Sequence, residues 1–191
     1  AAAVLLPFFL AACVAVLVTF GRPMFFSQIR AGRNGIPFRL VKLRSMHSTR
    51  GADGALLPDA ARQTALSRLI RRQRLDELPQ LWLILRGRMA LVGPRPLLPD
   101  TVAAFGAAGR MRPGLTGWAQ VSGNTCLSQE EKLQLDLWYI FHRSAALDLR
   151  ILAETLLVAI AGERRRPSRL AAAAHWLAAE RPALLQRGEP A

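Results

Sequence analysis

The stretch RLIRRQRLDELPQLWLIL, from Arg68 to Leu85, sets two adjacent acids directly behind a run of arginines. Apolar residues ahead of the acids recur at helical spacing, which predicts an amphipathic helix capped by Asp59. One face of this helix is apolar and the other is basic, with the residues Ala65, Leu66, Leu69 and Ile70 opposite Arg68, Arg71, Arg72 and Arg74. Asp76 is a favourable N-cap, so a second helix is predicted to begin there, with an apolar stripe of Leu78, Leu81, Trp82 and Leu85.

The pair Asp76-Glu77 has two readings. Adjacent acids usually mark a helix start, where carboxylates offset the positive end of the helix dipole. Here they lie beside many arginines, so a carboxylate is placed within reach of groups that can hold phosphate. The same dipole and cations are expected to keep Asp76 ionised, as a nucleophile or a metal ligand must be.

Composition points to a negatively charged partner. The 191 residues suffice for one compact domain, and 26 Lys+Arg against 13 Asp+Glu give a net charge of +13. Such a chain favours phosphate-bearing substrates, anionic lipid heads or nucleic acid. Cys13 and Cys126 are far apart in unlike surroundings, so neither a disulfide nor a zinc site is predicted, and a reducing cytoplasmic location fits.

The first 20 residues predict a membrane segment. Ala1 to Phe20 carries no charge and approaches the roughly 20 apolar residues that cross a bilayer. Pro7 removes a backbone donor within that run, so the helix should bend or break there, as a kinked span or a re-entrant hairpin. The chain starts with Ala rather than Met, so we expect a trimmed N-terminus. The positive-inside tendency then places the downstream part in the cytoplasm, because the next charged residues are Arg22, Arg30, Arg33 and Arg39.

The remaining sequence divides into short elements. Met24 to Met46 alternates apolar and basic residues and predicts short strands. Gly93-Pro94-Arg95-Pro96 is a rigid turn, and Leu147 to Ala161 predicts a helix that lies in the interface or the core. The segments predicted are a membrane helix at 1–20, a catalytic domain at 21–162, and a basic tail at 163–191, read as a surface helix with a loose end.

Several long motifs in order resemble the bacterial sugar transferase family of monotopic polyprenyl-phosphate phosphoglycosyl transferases, in its short single-domain form. The likeness runs from Pro7 to about Gly162. Its motifs are GRPMFFSQIRAG (Gly21 to Gly32), FRLVKLRSM (Phe38 to Met46), RLDELPQLW (Arg74 to Trp82), RMALVGPRPLL (Arg88 to Leu98), RPGLTGWAQVSG (Arg112 to Gly123) and LDLWYI (Leu135 to Ile140) with Asp148.

The resemblance implies an α+β, mainly helical fold. A Pro-broken re-entrant membrane helix, with its break at Pro7, would precede a compact cytoplasmic domain with interfacial amphipathic helices and a little β structure. The expected location is the bacterial inner membrane, with the catalytic domain facing the cytoplasm. Anionic lipid of that membrane and a second copy of the chain in a homodimer are further expected partners.

The resemblance also implies a chemistry. Asp76 would attack the sugar-bearing phosphorus of a UDP-sugar with Mg²⁺ present, UMP would leave, and polyprenyl phosphate would then take up the phosphosugar. Asp76 and Glu77 are the implied catalytic pair and metal ligands, with Glu77 orienting or helping to ligate Mg²⁺. The segment after Gly51 is similar to short members that act in glycan assembly, which favours modified N-acetylhexosamine donors by analogy.

Basic and polar side chains around the dyad are the predicted substrate-binding groups. Arg95 is favoured because its proline-flanked setting presents a fixed fork at low entropy cost. The full set of phosphate- or substrate-binding candidates is Arg71, Arg95, Arg112, Lys42, Arg44 and Gln80. Each arginine also has a plain surface-charge reading. Trp118 and Gln120 would border the nucleotide site, although core packing is the preferred role for Trp118.

The chain departs from the family's motifs at six positions, and these leave divergent specificity or impaired activity open. They are Leu6 for serine, Leu83 for asparagine, Arg88 for an acid, Ser122 for asparagine, Asn124 for arginine and Gln129 for tryptophan. A non-enzymatic membrane-surface scaffold with the same fold is therefore one alternative function. Binding of nucleic acid is a weaker alternative, because no recognisable module interleaves aromatic and basic residues.

Overall fold

The computed structural model describes residues 2–104 and 109–186, and most of them are helical. The predicted α+β, mainly helical class is confirmed. The elements in chain order are α1 (Ala2–Phe20), β1 (Phe25–Ala31), β2 (Pro37–Leu43), α2 (Asp59–Arg62), α3 (Ala65–Arg72), a 3-10 helix (Leu75–Gln80), α4 (Leu81–Leu85), β3 (Ala90–Val92), α5 (Pro99–Ala104), β4 (Gly114–Thr116), α6 (Trp118–Val121), α7 (Gln129–His142), α8 (Ala145–Ala161) and α9 (Pro167–Gln186).

The strands form two small sheets. β1 pairs with β2, which confirms the short strands predicted between Met24 and Met46. β3 runs parallel to β4, with Ala90 opposite Gly114 and Val92 opposite Thr116. The chain divides into two compact units, the first built from residues 1–28 and 40–81 and the second from residues 29–39 and 82–191. The predicted domain borders after residues 20 and 162 stay predictions.

Helix α1 supplies most of the core of the first unit. Ala12, Val16 and Phe20 recur every four residues, so they share one face of the helix, and all three are buried with Leu43 and Ile70. The other side of α1 leaves apolar side chains exposed, namely Leu10, Val14, Leu17 and Val18. One apolar face of this helix is therefore used inside the unit and the other is not.

The break predicted at Pro7 is not present, because α1 is one helix from Ala2 to Phe20 with Pro7 inside it. The missing N–H of a proline removes only one bond from the helical ladder, which the rest of the helix can tolerate. Among the residues described, no helix is both long enough and apolar enough to cross a membrane. The membrane helix stays a prediction, and the side chain of Leu6 lies outside the described residues.

The basic amphipathic helix is shorter than predicted and has a different cap. Residues 59–72 form two helices, α2 and α3, and α3 begins after Thr64 rather than Asp59. Thr64 Oγ1 accepts the N–H of Ser67 at 3.1 Å, and Ser67 Oγ accepts the N–H of Thr64 at 2.7 Å. This reciprocal capping box satisfies two free donors, so the helix starts there. The side chain of Asp59 is not among those described.

The second unit has its core where α6, α7, α8 and α9 meet. Trp118, Leu135, Tyr139 and Ile151 are buried there together with Ala173 of α9. The helix predicted from Leu147 to Ala161 is confirmed as α8, which starts two residues earlier because Ser144 caps it. The sequence analysis missed α7, whose capping box is formed by Ser128 and Glu131.

The surface helix predicted in the tail is α9, whose described side chains are mostly exposed but which also buries one face. Leu170 and Ala173 of α9 are buried in the core of the second unit, and Trp176 contacts the rings of Phe141 and His142 at centroid distances of 5.2 Å. Alanine-rich composition hid this face, because alanine carries little hydrophobic signal although it packs closely. The predicted loose end falls on residues 187–191, outside the described residues.

Candidate active site

Asp76 and Glu77 lie in the 3-10 helix Leu75–Gln80, and Asp76 is not a helix N-cap as predicted. Arg74 occupies the cap position with φ 54°, a left-handed conformation that reverses the chain after α3. Pro79 has no N–H to donate to the helical ladder, so the segment stays in a short, tight helix before α4. Because α1 and α3 both pack against this helix, Asp76 is buried, with 7% of its surface exposed.

Glu77 is held by two cations. Lys42 Nζ donates to Glu77 Oε1 at 2.6 Å, and Arg74 Nη1 donates to Glu77 Oε2 at 3.5 Å. Burial alone would raise the pKa of Glu77, but the charges of Lys42 and Arg74 and their hydrogen bonds outweigh it and lower that pKa. Glu77 is therefore a fixed carboxylate with both oxygens engaged.

Asp76 differs from its neighbour in both contacts and ionisation. Burial and then the charge of Glu77 raise the pKa of Asp76 to about 6, although Lys42 and Arg71 act in the opposite direction. No described residue forms an ion pair with its carboxylate. The cations that were expected to keep Asp76 ionised are outweighed by desolvation, so its pKa is raised rather than lowered. Above pH 7 Asp76 is still mostly ionised, and it lacks the charged partners that hold Glu77.

Four predicted substrate-binding residues belong to the same unit as the dyad. The Arg71 guanidinium acts on the charge of Asp76 and makes no hydrogen bond or ion pair with the described residues. Gln80 is the buried last residue of the same 3-10 helix, and its Nε2 has no hydrogen-bond partner in the described part of the chain. Lys42 is committed to Glu77, and Arg44 donates to the carbonyl oxygens of Phe20 and Arg22 and to Ser48 Oγ.

Arg95 and Arg112 belong to the second unit. The turn Gly93–Pro96 lies against β4, where the N–H of Gly114 donates to Pro94 O at 2.8 Å and the N–H of Gly93 donates to Thr116 O at 3.0 Å. A Cβ on Gly117 would lie 2.0 Å from Gly93 O, so only glycine permits this approach. Arg95 Nη1 donates to Gln129 Oε1 at 3.4 Å, whereas Arg112 is exposed.

Asp136 is a buried acid beside the Arg95 turn that the sequence analysis did not single out. It is fully buried on α7, and its Oδ1 accepts the backbone N–H of Arg95 at 3.3 Å. Burial raises the pKa of Asp136 to about 7, with Arg95 and Lys132 acting in the opposite direction. The acid inside the apolar run Leu135 to Ile140 was the available signal, since an isolated carboxylate on a buried face rarely occurs without a role.

The remaining motif residues are structural. Trp118 is buried in the core as preferred, and Gln120 is buried with its Nε2 donating to Leu115 O, so neither borders an open site in the second unit. Tyr139 donates to Asp148 Oδ1 at 2.6 Å and thereby joins α7 to α8. Both cysteines are free thiols, as expected.

The donor set at the dyad suits a hard divalent cation. No group of three or more His, Cys, Asp or Glu side chains within residues 2–104 and 109–186 could hold a metal by itself. Mg²⁺ typically binds through one or two carboxylates and takes its other ligands from water and substrate phosphates. Asp76, whose oxygens have no cationic partner, fits this requirement better than Glu77, whose oxygens contact Lys42 and Arg74.

Comparison with known proteins identifies the family of the chain. The model of the family described as bacterial sugar transferase matches residues 1–162. The chain belongs to this family. The predicted phosphoglycosyl transferase class is thereby confirmed, and the family match includes the dyad, the Arg95 turn and Asp136. Residues 163–191 lie beyond the matched region.

Individual relatives differ in length and in the sugars that they are named for. The uncharacterized sugar transferase EpsL of Bacillus subtilis (strain 168) is 42% identical over 168 residues, which are 81% of this chain and 83% of EpsL. The undecaprenyl-phosphate glucose phosphotransferase of Komagataeibacter xylinus is 40% identical over 70% of this chain and 29% of its own length. An Aeromonas hydrophila protein named as an undecaprenyl-phosphate N-acetylgalactosaminephosphotransferase is 33% identical over 82% of this chain and 40% of its own length.

Replacement of Asp76 by asparagine should stabilise the protein above pH 7. The raised pKa means that folding disfavours the charged form, by up to about 3 kcal/mol for a shift of about two units. The gain of Asp76→Asn should be full above about pH 7, decline as pH falls through 6, and vanish near 4. Urea unfolding across this range measures it, with the exposed Asp100→Asn as the matched control. Destabilisation by Asp76→Asn at pH 8 would contradict this account of Asp76.

Two replacements of Asp136 should distinguish the effect of its charge on stability from the effect of its hydrogen bond. Asp136→Ala leaves the N–H of Arg95 without its acceptor and should lower the free energy of unfolding by about 1–3 kcal/mol. Asp136→Asn keeps an acceptor oxygen and removes a buried charge, so it should be neutral or stabilising above pH 7. Urea unfolding at pH 6 and pH 8 tests both variants, and equal losses in the two would refute the assigned contact.

Proposed function

We propose that the protein transfers a sugar-1-phosphate from a UDP-sugar to membrane polyprenyl phosphate. The observation that carries this proposal is the unequal dyad, in which Glu77 is fixed by Lys42 and Arg74 while Asp76 has no cationic partner. A nucleophile needs an ionised oxygen that no cation already holds, and Asp76 meets both conditions near neutral pH.

The transfer takes two displacements at one phosphorus. A carboxylate oxygen of Asp76 attacks the sugar-bearing phosphorus of the donor, and the bond from that phosphorus to the bridging oxygen breaks, so UMP leaves with the bridging oxygen. An oxygen of polyprenyl phosphate then attacks the same phosphorus. The bond to Asp76 breaks, which restores the carboxylate and gives polyprenyl diphosphosugar. Two steps let one site accept a water-soluble donor and a lipid acceptor in turn.

The surrounding residues have separate tasks in this scheme. Lys42 and Arg74 hold Glu77, whose charge raises the pKa of Asp76 and so keeps its oxygens basic. Arg71 is the guanidinium of this unit best suited to a donor phosphate, because it has no hydrogen bond or ion pair with the residues described. Gln80 can donate its buried, unpaired amide to a substrate oxygen. Mg²⁺ bound by Asp76 and Glu77 would neutralise diphosphate charge.

The names of the relatives support the acceptor and the donor class but not one sugar. They specify undecaprenyl phosphate together with glucose or N-acetylgalactosamine, and others name galactose. The modified N-acetylhexosamine donor predicted from the sequence therefore stays a prediction. A panel of UDP-sugars assayed for UMP release identifies the donor, and turnover with none of them supports the alternative of a catalytically impaired scaffold.

Trapping the covalent intermediate tests the mechanism. Intact-mass measurement of the protein with Mg²⁺ and the UDP-sugar panel, without lipid acceptor, should show one sugar-phosphate added on Asp76 and one equivalent of UMP released. Asp76→Asn should show neither, whereas Asp100→Asn should behave as the wild type. Addition of polyprenyl phosphate should discharge the adduct. An adduct that survives Asp76→Asn would remove Asp76 from the nucleophile's role.

We further propose that the protein works at the cytoplasmic surface of the bacterial inner membrane. Val18 of α1 is 82% exposed, and α8 in the second unit exposes Leu149, Leu156, Leu157 and Ile160. Contiguous exposed apolar side chains of this size mark binding surfaces, and an acceptor with a polyprenyl chain requires access to lipid. Arg164, Arg165 and Arg166 follow α8 and carry charge complementary to anionic lipid heads.

An environment-sensitive fluorophore tests the α8 face. The label is attached to Ile160→Cys, or to Glu180→Cys as the control, in protein whose Cys13 and Cys126 are replaced by serine. Vesicles containing phosphatidylglycerol should shift the emission of the label at position 160 to the blue and leave that at position 180 unchanged. A water-like spectrum at position 160 would place this face outside the membrane.

A further inference from the structure

The segment after residue 162 forms hydrogen bonds with the loop that follows α6. Glu163 Oε1 accepts Asn124 Nδ2–H at 2.7 Å, and Glu163 Oε2 accepts the backbone N–H of Thr125 at 2.9 Å and also the Thr125 hydroxyl. The loop has an uncommon backbone, with φ 139° at Gly123 and φ 35° at Asn124. Conformations of this kind persist where surrounding contacts enforce them, and Glu163 supplies three such contacts.

Three arginines that follow Glu163 in the chain make further contacts with α6, with this loop and with α7. Arg165 forms a two-point ion pair with Glu131, with Nη2–Oε1 at 2.5 Å and Nη1–Oε2 at 3.3 Å. The N–H of Arg166 donates to Ser122 O at 3.1 Å, and the guanidinium of Arg169 lies 4.0 Å from the Trp118 ring centre and donates to Ser122 Oγ. Ser122 and Asn124 are also two of the positions at which the chain departs from the family's motifs.

The loop that Glu163 contacts leads directly into α7, the helix whose residues contact Arg95. Glu131, the partner of Arg165, closes the capping box of α7 with Ser128. The first residue of α7, Gln129, contacts the Arg95 guanidinium, and two turns later Asp136 accepts the Arg95 N–H. The start and register of α7 therefore fix both ends of Arg95, and the segment after residue 162 fixes the start of α7.

We propose that Glu163 is a positioning residue for phosphate binding in the second unit, which sets the loop Ser122–Leu127 and the start of α7 and thereby holds the Arg95 guanidinium for a phosphate such as that of UDP. This inference rests on the proposed function for its ligand. It makes the C-terminal segment, which lies outside the matched family region, a working part of the transferase. Arg165 has the same role through Glu131.

UDP binding and hydrogen exchange of the full chain test this inference together. Glu163→Ala should weaken UDP binding about three- to tenfold and raise KM for the donor by a similar factor with kcat within about twofold. Glu163→Gln keeps one acceptor oxygen, which can still accept the Thr125 N–H and hydroxyl, and loses the acceptor for Asn124, so it should recover part of the affinity. Glu180→Ala removes the same charge from an exposed position of α9 and should bind UDP as the wild type does.

Hydrogen exchange distinguishes a positioning role of Glu163 from a purely local contact with Thr125, and it does not require enzymatic activity. In Glu163→Ala the amides of Thr125 and of Arg95 should both exchange faster, while those of α8 stay protected. Faster exchange at Thr125 alone would overturn the inference, as would unchanged UDP affinity. Arg165→Met, at a half-exposed position, should repeat the effect more weakly. If wild-type protein binds no UDP, the proposed donor fails, and exchange at Arg95 still decides whether Glu163 positions the turn.

Discussion

A buried Asp76 next to a partly buried Glu77, beside an apolar helix, is the constraint on which the first unit depends. Neighbouring negative charges repel, and each loses solvation by water as it is buried. The fold resolves this cost unevenly, because Lys42 and Arg74 both contact Glu77 and neither contacts Asp76. The strand that carries Lys42 and the left-handed residue Arg74 are therefore part of the chemistry as well as of the fold.

The unequal pairing explains why the adjacent carboxylates of Asp76 and Glu77 differ in their properties. Glu77 is ionised and immobile, so it acts as a fixed negative charge. That charge, added to burial, makes Asp76 more basic than an ordinary aspartate while leaving it ionised near neutral pH. In the proposed mechanism a more basic carboxylate is a better nucleophile toward phosphorus, and the same carboxylate is the leaving group when polyprenyl phosphate attacks the acyl phosphate. Under this proposal, the stability lost by burying Asp76 is offset by its reactivity.

Sequence reasoning located the dyad, the strands of the N-terminal half, α8 and the Arg95 turn, because each has a local signal in charge, alternation, helical spacing or proline. It misplaced the start of α3, since Thr64-Ser67 is a weaker capping pattern in the sequence than an aspartate after proline. It missed Asp136 and the packing of α9, which depend on contacts between residues distant in the chain. It also overestimated the effect of nearby cations on the pKa of Asp76, because the desolvation of a side chain cannot be predicted from its neighbours in the sequence.

Arg71 and Arg95, two candidate phosphate-binding arginines, differ in the same way. Arg71 follows from the amphipathic pattern of α3, and its environment is set within a few residues of the dyad. Arg95 is held by Gln129 at its guanidinium and by Asp136 at its backbone N–H, 34 and 41 residues away, and Arg165 contacts Glu131 in the capping box of the helix that carries both. A guanidinium whose backbone and head are both anchored loses less entropy on meeting a phosphate, so these remote contacts contribute to the proposed affinity.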